Sequence, residues 1–234
     1  LVIKKVVYGI MKMFLFVYFL MVLVVKVKHK RVLRLSRQKK NKITIIANGP
    51  SLKEDVYFLL DEDYKKQTDF LMLNFSAFDS LFFKLRPQYY CLTDPMYFQS
   101  SWRDEEVFRF FNLLNNQVEW PMTIYVPAQS MKQFVRFSHL DNSNIKVLGV
   151  NTVTYRGFER FRNFFYRTGL SSPIPQTVAN FAIFIGINAG YQHMDLYGVD
   201  HTFLSTLMVN EKNQLCQIYS HSYEEETLEY KVVR

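Results

Sequence analysis

Four polar residues stand where apolar, strand-like runs end: Asn48 after residues 43–47, Asn74 after 69–73, Asp94 at the close of 88–93, and Asp200 after 193–198. A side-chain amide offers a sugar hydroxyl or a base edge both a donor and an acceptor, whereas an ionised carboxylate offers acceptors alone. Any one of them could equally be a local Asx-turn. Asn48 also opens Asn48-Gly49-Pro50-Ser51-Leu52, which reads as the turn between a buried strand and a helix. Gly49 there lets backbone approach a ligand, Pro50 fixes the helix entry, and Ser51 caps the helix and leaves amide donors facing an anion. An ordinary strand-to-helix turn has the same composition.

His221, in Tyr219-Ser220-His221-Ser222-Tyr223, is the candidate general base. An imidazole with a pKa near 6.5 accepts a proton from a hydroxyl close to neutral pH, and the run Glu224-Glu225-Glu226 would raise its basicity. An exposed capping segment with a passing histidine remains the other reading. His201 beside Asp200 suggests a metal pair or an acid/base pair only weakly, since no Asp-x-Asp triplet accompanies it. Cys91 and Cys216 lack metal-ligand spacing and read as buried small side chains in a reducing compartment. The expectation is a site with no metal and no resident cofactor.

These residues need a scaffold that brings strand ends together. Strand-like runs at 43–47, 69–74, 88–93, 122–127, 145–148 and 193–198 alternate with helical stretches, the pattern of a Rossmann-like α/β fold. A mostly parallel wound sheet with helices on both faces places ligands just beyond the carboxyl ends of its strands. Residues 177–190 read as a buried helix closed by Gly190 in the left-handed cap position, and residues 224–234 as a final helix. The aromatic clusters at 108–111 and 158–166 read as core or membrane-facing surface; the second, with Arg156, Arg160, Arg162 and Arg167, could instead form a lid over an anionic substrate.

The net charge of +8 is not spread along the chain. Twelve of the 29 Lys and Arg lie in residues 1–42, which hold no Asp or Glu; 17 basic and 21 acidic residues remain, a net charge of about −4. That balance argues against a nucleic-acid partner. Residues 13–25 are uninterrupted apolar sequence, and extending back to Val6 across Lys12 gives about the ~20 residues that a spanning helix needs. Residues 1–25 are therefore expected to be a membrane anchor, 26–42 a basic juxtamembrane linker suited to anionic headgroups, and 43–234 a single nucleotide-binding domain. A signal peptide and an interfacial helix are the alternatives. The positive-inside rule puts the folded part in the cytoplasm, at the inner membrane. The initial Leu and the stop inside an apparent helix suggest a fragment or a non-standard start.

Residues 45–54 (Ile-Ile-Ala-Asn-Gly-Pro-Ser-Leu-Lys-Glu), Asn74, residues 190–200 (Gly-Tyr-Gln-His-Met-Asp-Leu-Tyr-Gly-Val-Asp) and His221-Ser222 resemble the bacterial sialyltransferases represented by the Campylobacter lipooligosaccharide enzymes. The resemblance covers roughly residues 43–234. It implies a CMP-sialic acid donor or a similar nucleotide sugar, a surface-glycan acceptor, metal-independent inverting transfer and association with the inner membrane. By position it implies that Asn48 and Asn74 contact the nucleotide and donor phosphate region, that Asp94 replaces a further Asn, that Thr177 contacts the donor, and that His221 is the base. Thr202 stands where that family has a phosphate-binding Tyr, and Val178 where it has a Ser beside the donor-contacting Thr. Leaving-group stabilisation then falls to no assigned residue, with Tyr219 and Tyr223 nearby. The Asn-Gly-Pro-Ser-Leu and Gly198-Val199-Asp200-His201 patterns also resemble domains similar to the archaeal 6-hydroxymethylpterin diphosphokinase. A non-catalytic polysaccharide-assembly factor with a vestigial nucleotide site is the third reading.

Overall fold

The computed structural model describes residues 2–27, 40–200, 207–219 and 229–232. An apolar helix α1 (Val2–Lys26) precedes an alternating series: β1 (Lys42–Ile46), α2 (Leu52–Leu59), α3 (Glu62–Gln67), β2 (Thr68–Leu73), α4 (Ser80–Leu85), β3 (Tyr89–Cys91), α5 (Asp104–Gln117), β4 (Met122–Pro127), α6 (Met131–Ser138) and β5 (Ile145–Val150). Then come α7 (Glu159–Arg167), α8 (Val178–Ala189) and β6 (His193–Tyr197). The six strands pair in the order β5-β4-β3-β2-β1-β6, and every pairing is parallel. This is the wound α/β sheet that the sequence pattern predicts.

Strand alternation divides the core in two. Ile43, Ile45, Leu71, Leu73, Cys91 and Tyr125 pack against α8 through Phe181, Ala182 and Ile185. From the other face, Ile46, Phe70, Met72, Tyr90, Ile124 and Val126 meet the aromatic and aliphatic faces of α2, α4, α5 and α6. Central strands buried on both faces are why these runs are continuously apolar. Gly190 ends α8 at φ +88°, as expected of a left-handed cap.

At the amino ends of the strands lies a closed polar network. The Tyr64 hydroxyl donates to Asp195 Oδ2 at 2.7 Å and sits 2.7 Å from Thr44 Oγ1, itself 2.8 Å from Thr68 Oγ1. Lys42 Nζ lies 2.5 Å from the same Asp195 oxygen and 4.4 Å from the centre of the Tyr64 ring. Tyr191 donates to Asp69 Oδ2 at 2.6 Å, and Lys40 donates to the carbonyls of Lys65 and Thr68. The last two lysines of the expected basic linker are thus tied into the fold; residues 28–39 lie outside the described residues.

One expectation fails. Residues 229–232 form a strand, β9 (Glu229–Val232), in place of part of the helix read over 224–234. It pairs antiparallel with β8 (Leu215–Tyr219), which forms a hairpin with β7 (Leu207–Val209) through the polar turn 210–214. The glutamate run suggests a helix, but the alternating Glu-Tyr-Lys-Val ending finds an open strand edge to pair with, and pairing outweighs local propensity.

Candidate functional site

Strands β1 to β5 wind one way from β1, and β6 lies on its other side, so the order of the sheet reverses between β1 and β6. At such a switch point the loops diverge and leave a crevice beyond the carboxyl ends. The loops after β6, β1, β2 and β3, four adjacent strands, carry Asp200, Asn48, Asn74 and Asp94 respectively. Helix α8 leads into a parallel strand and so runs against the sheet direction, which puts its N-cap Thr177 at the same edge. Thr177 is exposed, and its hydroxyl accepts from the Asn180 amide at 3.2 Å. Five positions singled out in the sequence therefore share one end of the sheet.

The first turn is drawn tightly against the loop after β6. The Gly49 amide donates to the Gly198 carbonyl at 2.8 Å, and the Ala47 amide to the Tyr197 carbonyl at 2.9 Å. A Cβ at Gly49 would collide with the Asp200 carboxylate and the Gly198 carbonyl, and one at Gly198, whose φ is +64°, with the Ala47 carbonyl. The close approach that Gly49 permits is thus to the protein's own next loop. Ser51 differs from expectation in the same way. Its side chain makes no cap hydrogen bond to α2, and its amide donates to Asp200 Oδ2 at 2.9 Å. The anion facing the start of α2 is Asp200, which closes the crevice between β1 and β6.

Asn48 and Asn74 carry the open valences. Both amide oxygens are buried and accept no hydrogen bond among the described residues. A buried, unpaired polar atom costs roughly 1–3 kcal/mol, so two on neighbouring loops call for an explanation in terms of a ligand. Asn74 is further held at φ +49°, a left-handed conformation that Asn tolerates better than most residues. What holds it is Tyr90: the phenol donates to the Asn74 carbonyl at 2.5 Å and accepts from the Ala77 amide at 3.0 Å. No sequence signal pointed to Tyr90, a tyrosine in a strand that reads simply as core.

Asp94 begins a 3-10 turn (Pro95–Tyr97), and its side chain makes no cap hydrogen bond. Burial pushes its carboxyl above the usual range, against the pull of Arg103. This is an environment in which a carboxyl group can hold or receive a proton more readily than in water. His221, His201, Thr202 and Tyr223 lie outside the described residues; Tyr219 ends β8. Cys91 and Cys216 are buried free thiols. Among the described residues no three His, Cys, Asp or Glu side chains gather as a metal site would require.

A second concavity lies elsewhere. A cavity of about 320 Å³ sits between α1 and the loops after β4 and β5, lined by Tyr18, Phe19, Val22, Lys26, Gln129 and Arg156 among others. This cavity lies toward the β4–β5 end of the sheet, whereas Asn48 and Asp200 follow β1 and β6 at its other end. No protein-family model matches the chain, and no curated protein matches it.

Proposed function

We propose that this chain is a membrane-associated glycosyltransferase of sialyltransferase-like chemistry, moving a sugar from a nucleotide donor, CMP-sialic acid or similar, to a surface glycan. The observation that carries the proposal is the pair of buried, unpaired amide oxygens of Asn48 and Asn74, one on each of two neighbouring strand ends of a parallel sheet. They are suited to accept from the amino group of a base or the hydroxyls of a sugar. The same motifs underlie the resemblance described above.

In this reading Asn48, Asn74 and Thr177 hold the donor, with Asp94 at the margin of the site and Gly49, Ser51 and Asp200 shaping its floor. His221 takes the proton of the acceptor hydroxyl as that oxygen attacks the donor's anomeric carbon and CMP departs. The apolar helix α1, whose length and composition would suit a membrane, keeps the enzyme near a lipid-borne glycan on the cytoplasmic face.

Thermal unfolding of the full chain with CMP, CMP-sialic acid, UDP, GDP and ATP, each with and without Mg²⁺, tests this. Ligand at a hundred times its dissociation constant stabilises the native state by about 2.7 kcal/mol. A metal-independent shift with CMP, lost in Asn48→Ala, is the expected result. A shift with ATP alone that needs Mg²⁺ overturns the proposal in favour of diphosphokinase-like chemistry. Transfer should fall about 10²- to 10⁴-fold in His221→Ala with CMP binding kept. Nucleotide binding without turnover, unaffected by His221→Ala, would instead indicate the assembly-factor reading.

A further inference from the structure

Helix α1 is docked on the domain along one stripe. Phe16 stacks on Phe161 with ring centres 5.5 Å apart, Phe19 meets Phe165 and Tyr155 edge-on at 4.9 Å each, and Leu23 is buried beside them. Gly157 lies directly against Phe16, where any Cβ would clash. Lys12, which interrupts the apolar run, is 3.8 Å from Glu159 at the start of α7. Lys26, at the other end of the stripe, lines the cavity with Gln129 and Thr152. From Lys12 to Lys26 the contact runs about 21 Å at 1.5 Å per residue.

Three of the four charges of α1 follow the same stripe, and the fourth, Lys4, flanks it. Lys5, Lys12 and Lys26 are spaced by multiples of seven from Phe19, and a step of seven returns close to the same face of a helix. The opposite face, including Ile10, Met13, Phe14, Val17, Met21 and Val24, is exposed, apolar and without a charge. Segregation of this kind belongs to a helix lying in the plane of a bilayer.

A crossing would have to immerse the docked domain as well. The ~30 Å hydrocarbon core would enclose most of that ~21 Å contact, and with it the exposed Arg156, Glu159, Arg160 and Arg162 and the polar Gln129 and Thr152. Charges at that depth are strongly disfavoured. Resting on the reading of α1 as a membrane anchor, we propose that α1 lies in the plane of the bilayer, its charge-free face in one leaflet and the catalytic domain stacked on the opposite face of the helix. The helix then anchors without crossing, and the lysines and the Lys12–Glu159 pair stay on the wet side. The occupant of the bare face is lipid, and the basic residues following Lys26 favour an anionic surface.

Depth measurement decides it. Ile10→Trp, Val17→Trp and Val24→Trp place probes at one azimuth over about 21 Å of helix. Each is made singly in the full chain, bound to vesicles of phosphatidylcholine with about a third phosphatidylglycerol, the parent chain supplying the background of Trp102 and Trp120. Quenching by lipids brominated at different acyl positions should give one shared shallow depth for all three. A graded profile, with Val17→Trp deepest and Val24→Trp near the surface, would mean that α1 crosses and would overturn the in-plane placement while leaving the anchor intact. Vesicle-bound chain with unquenched probes would overturn it too, pointing to a second copy on that face. Failure to bind vesicles at all would remove the anchor reading along with it.

Discussion

At the amino ends of the parallel strands, Lys42, Thr44, Tyr64, Asp69 and Asp195 each have a partner within hydrogen-bonding or ion-pairing distance. At the carboxyl ends, one strand length away, Asn48 and Asn74 bury oxygens that have none among the described residues, and Asn74 adds a left-handed backbone. Both ends are polar and partly buried, so polarity alone does not mark a site. Satisfied polar groups specify a fold, whereas open ones are retained only when something else gains from them. The comparison can be attacked from either end.

The largest effect is expected at the amino end. Tyr64→Phe removes the hydroxyl that joins Asp195 to Thr44, and should cost about 1–3 kcal/mol in urea unfolding because its partners are left without it. It should leave any CMP-dependent stabilisation untouched. Loss of nucleotide binding in that variant would erase the distinction between the two ends. Asn48→Ala should do the reverse. Unliganded stability should move by less than about 1 kcal/mol, since a group without a partner is being removed, while CMP affinity falls about tenfold or more. A variant that is merely unstable would assign Asn48 to the scaffold.

The parts legible in the sequence and the parts that were not divide along the same line. The six strands of the main sheet show in the sequence because burial on both faces makes each a continuous apolar run, and periodicity needs nothing more. The polar residues at strand ends show because they interrupt those runs. Their partners do not show. That Asp200 would take the Ser51 amide across 149 positions, or that Tyr90 would hold the Asn74 turn, depends on which strands become neighbours. The Ser51 cap failed for a local reason: Ser51 itself is helical, at φ −60° and ψ −22°, and the Lys53 and Glu54 amides it would have capped donate to the Pro50 and Ser51 carbonyls. Lys12 looked like a flaw in a spanning segment, yet it reads differently once Glu159 is seen beside it. The helix expected at the end of the chain is the plainest case of tertiary pairing overruling composition.

Acid titration sharpens the comparison with its smallest effects, because a carboxylate at each end is displaced in the opposite direction. For Asp195, burial raises the pKa but the hydrogen bonds from Lys42 and Tyr64 outweigh it, so the carboxyl is held below its ordinary value. It therefore contributes stability that is present above about pH 4 and is lost as pH falls through the depressed native pKa. Asp195→Asn should be the less stable form at neutral pH, by less than about 1 kcal/mol for a pair this exposed, and should converge with the parent in acid. Asp94 is raised by burial, so its native form takes up a proton before the unfolded chain does, and stability is gained as pH falls toward 4. Asp94→Asn should be the more stable form at neutral pH, with a rise in Tm on the order of a degree or two, and that advantage should vanish in acid. Unfolding measured at pH 7 and again near pH 3 gives both signs in one experiment. Two variants displaced in the same direction would mean that the ends of the sheet do not differ in the way their hydrogen bonding requires. Opposite displacements would locate the stored cost at the carboxyl edge, where a donor has something to repay by binding.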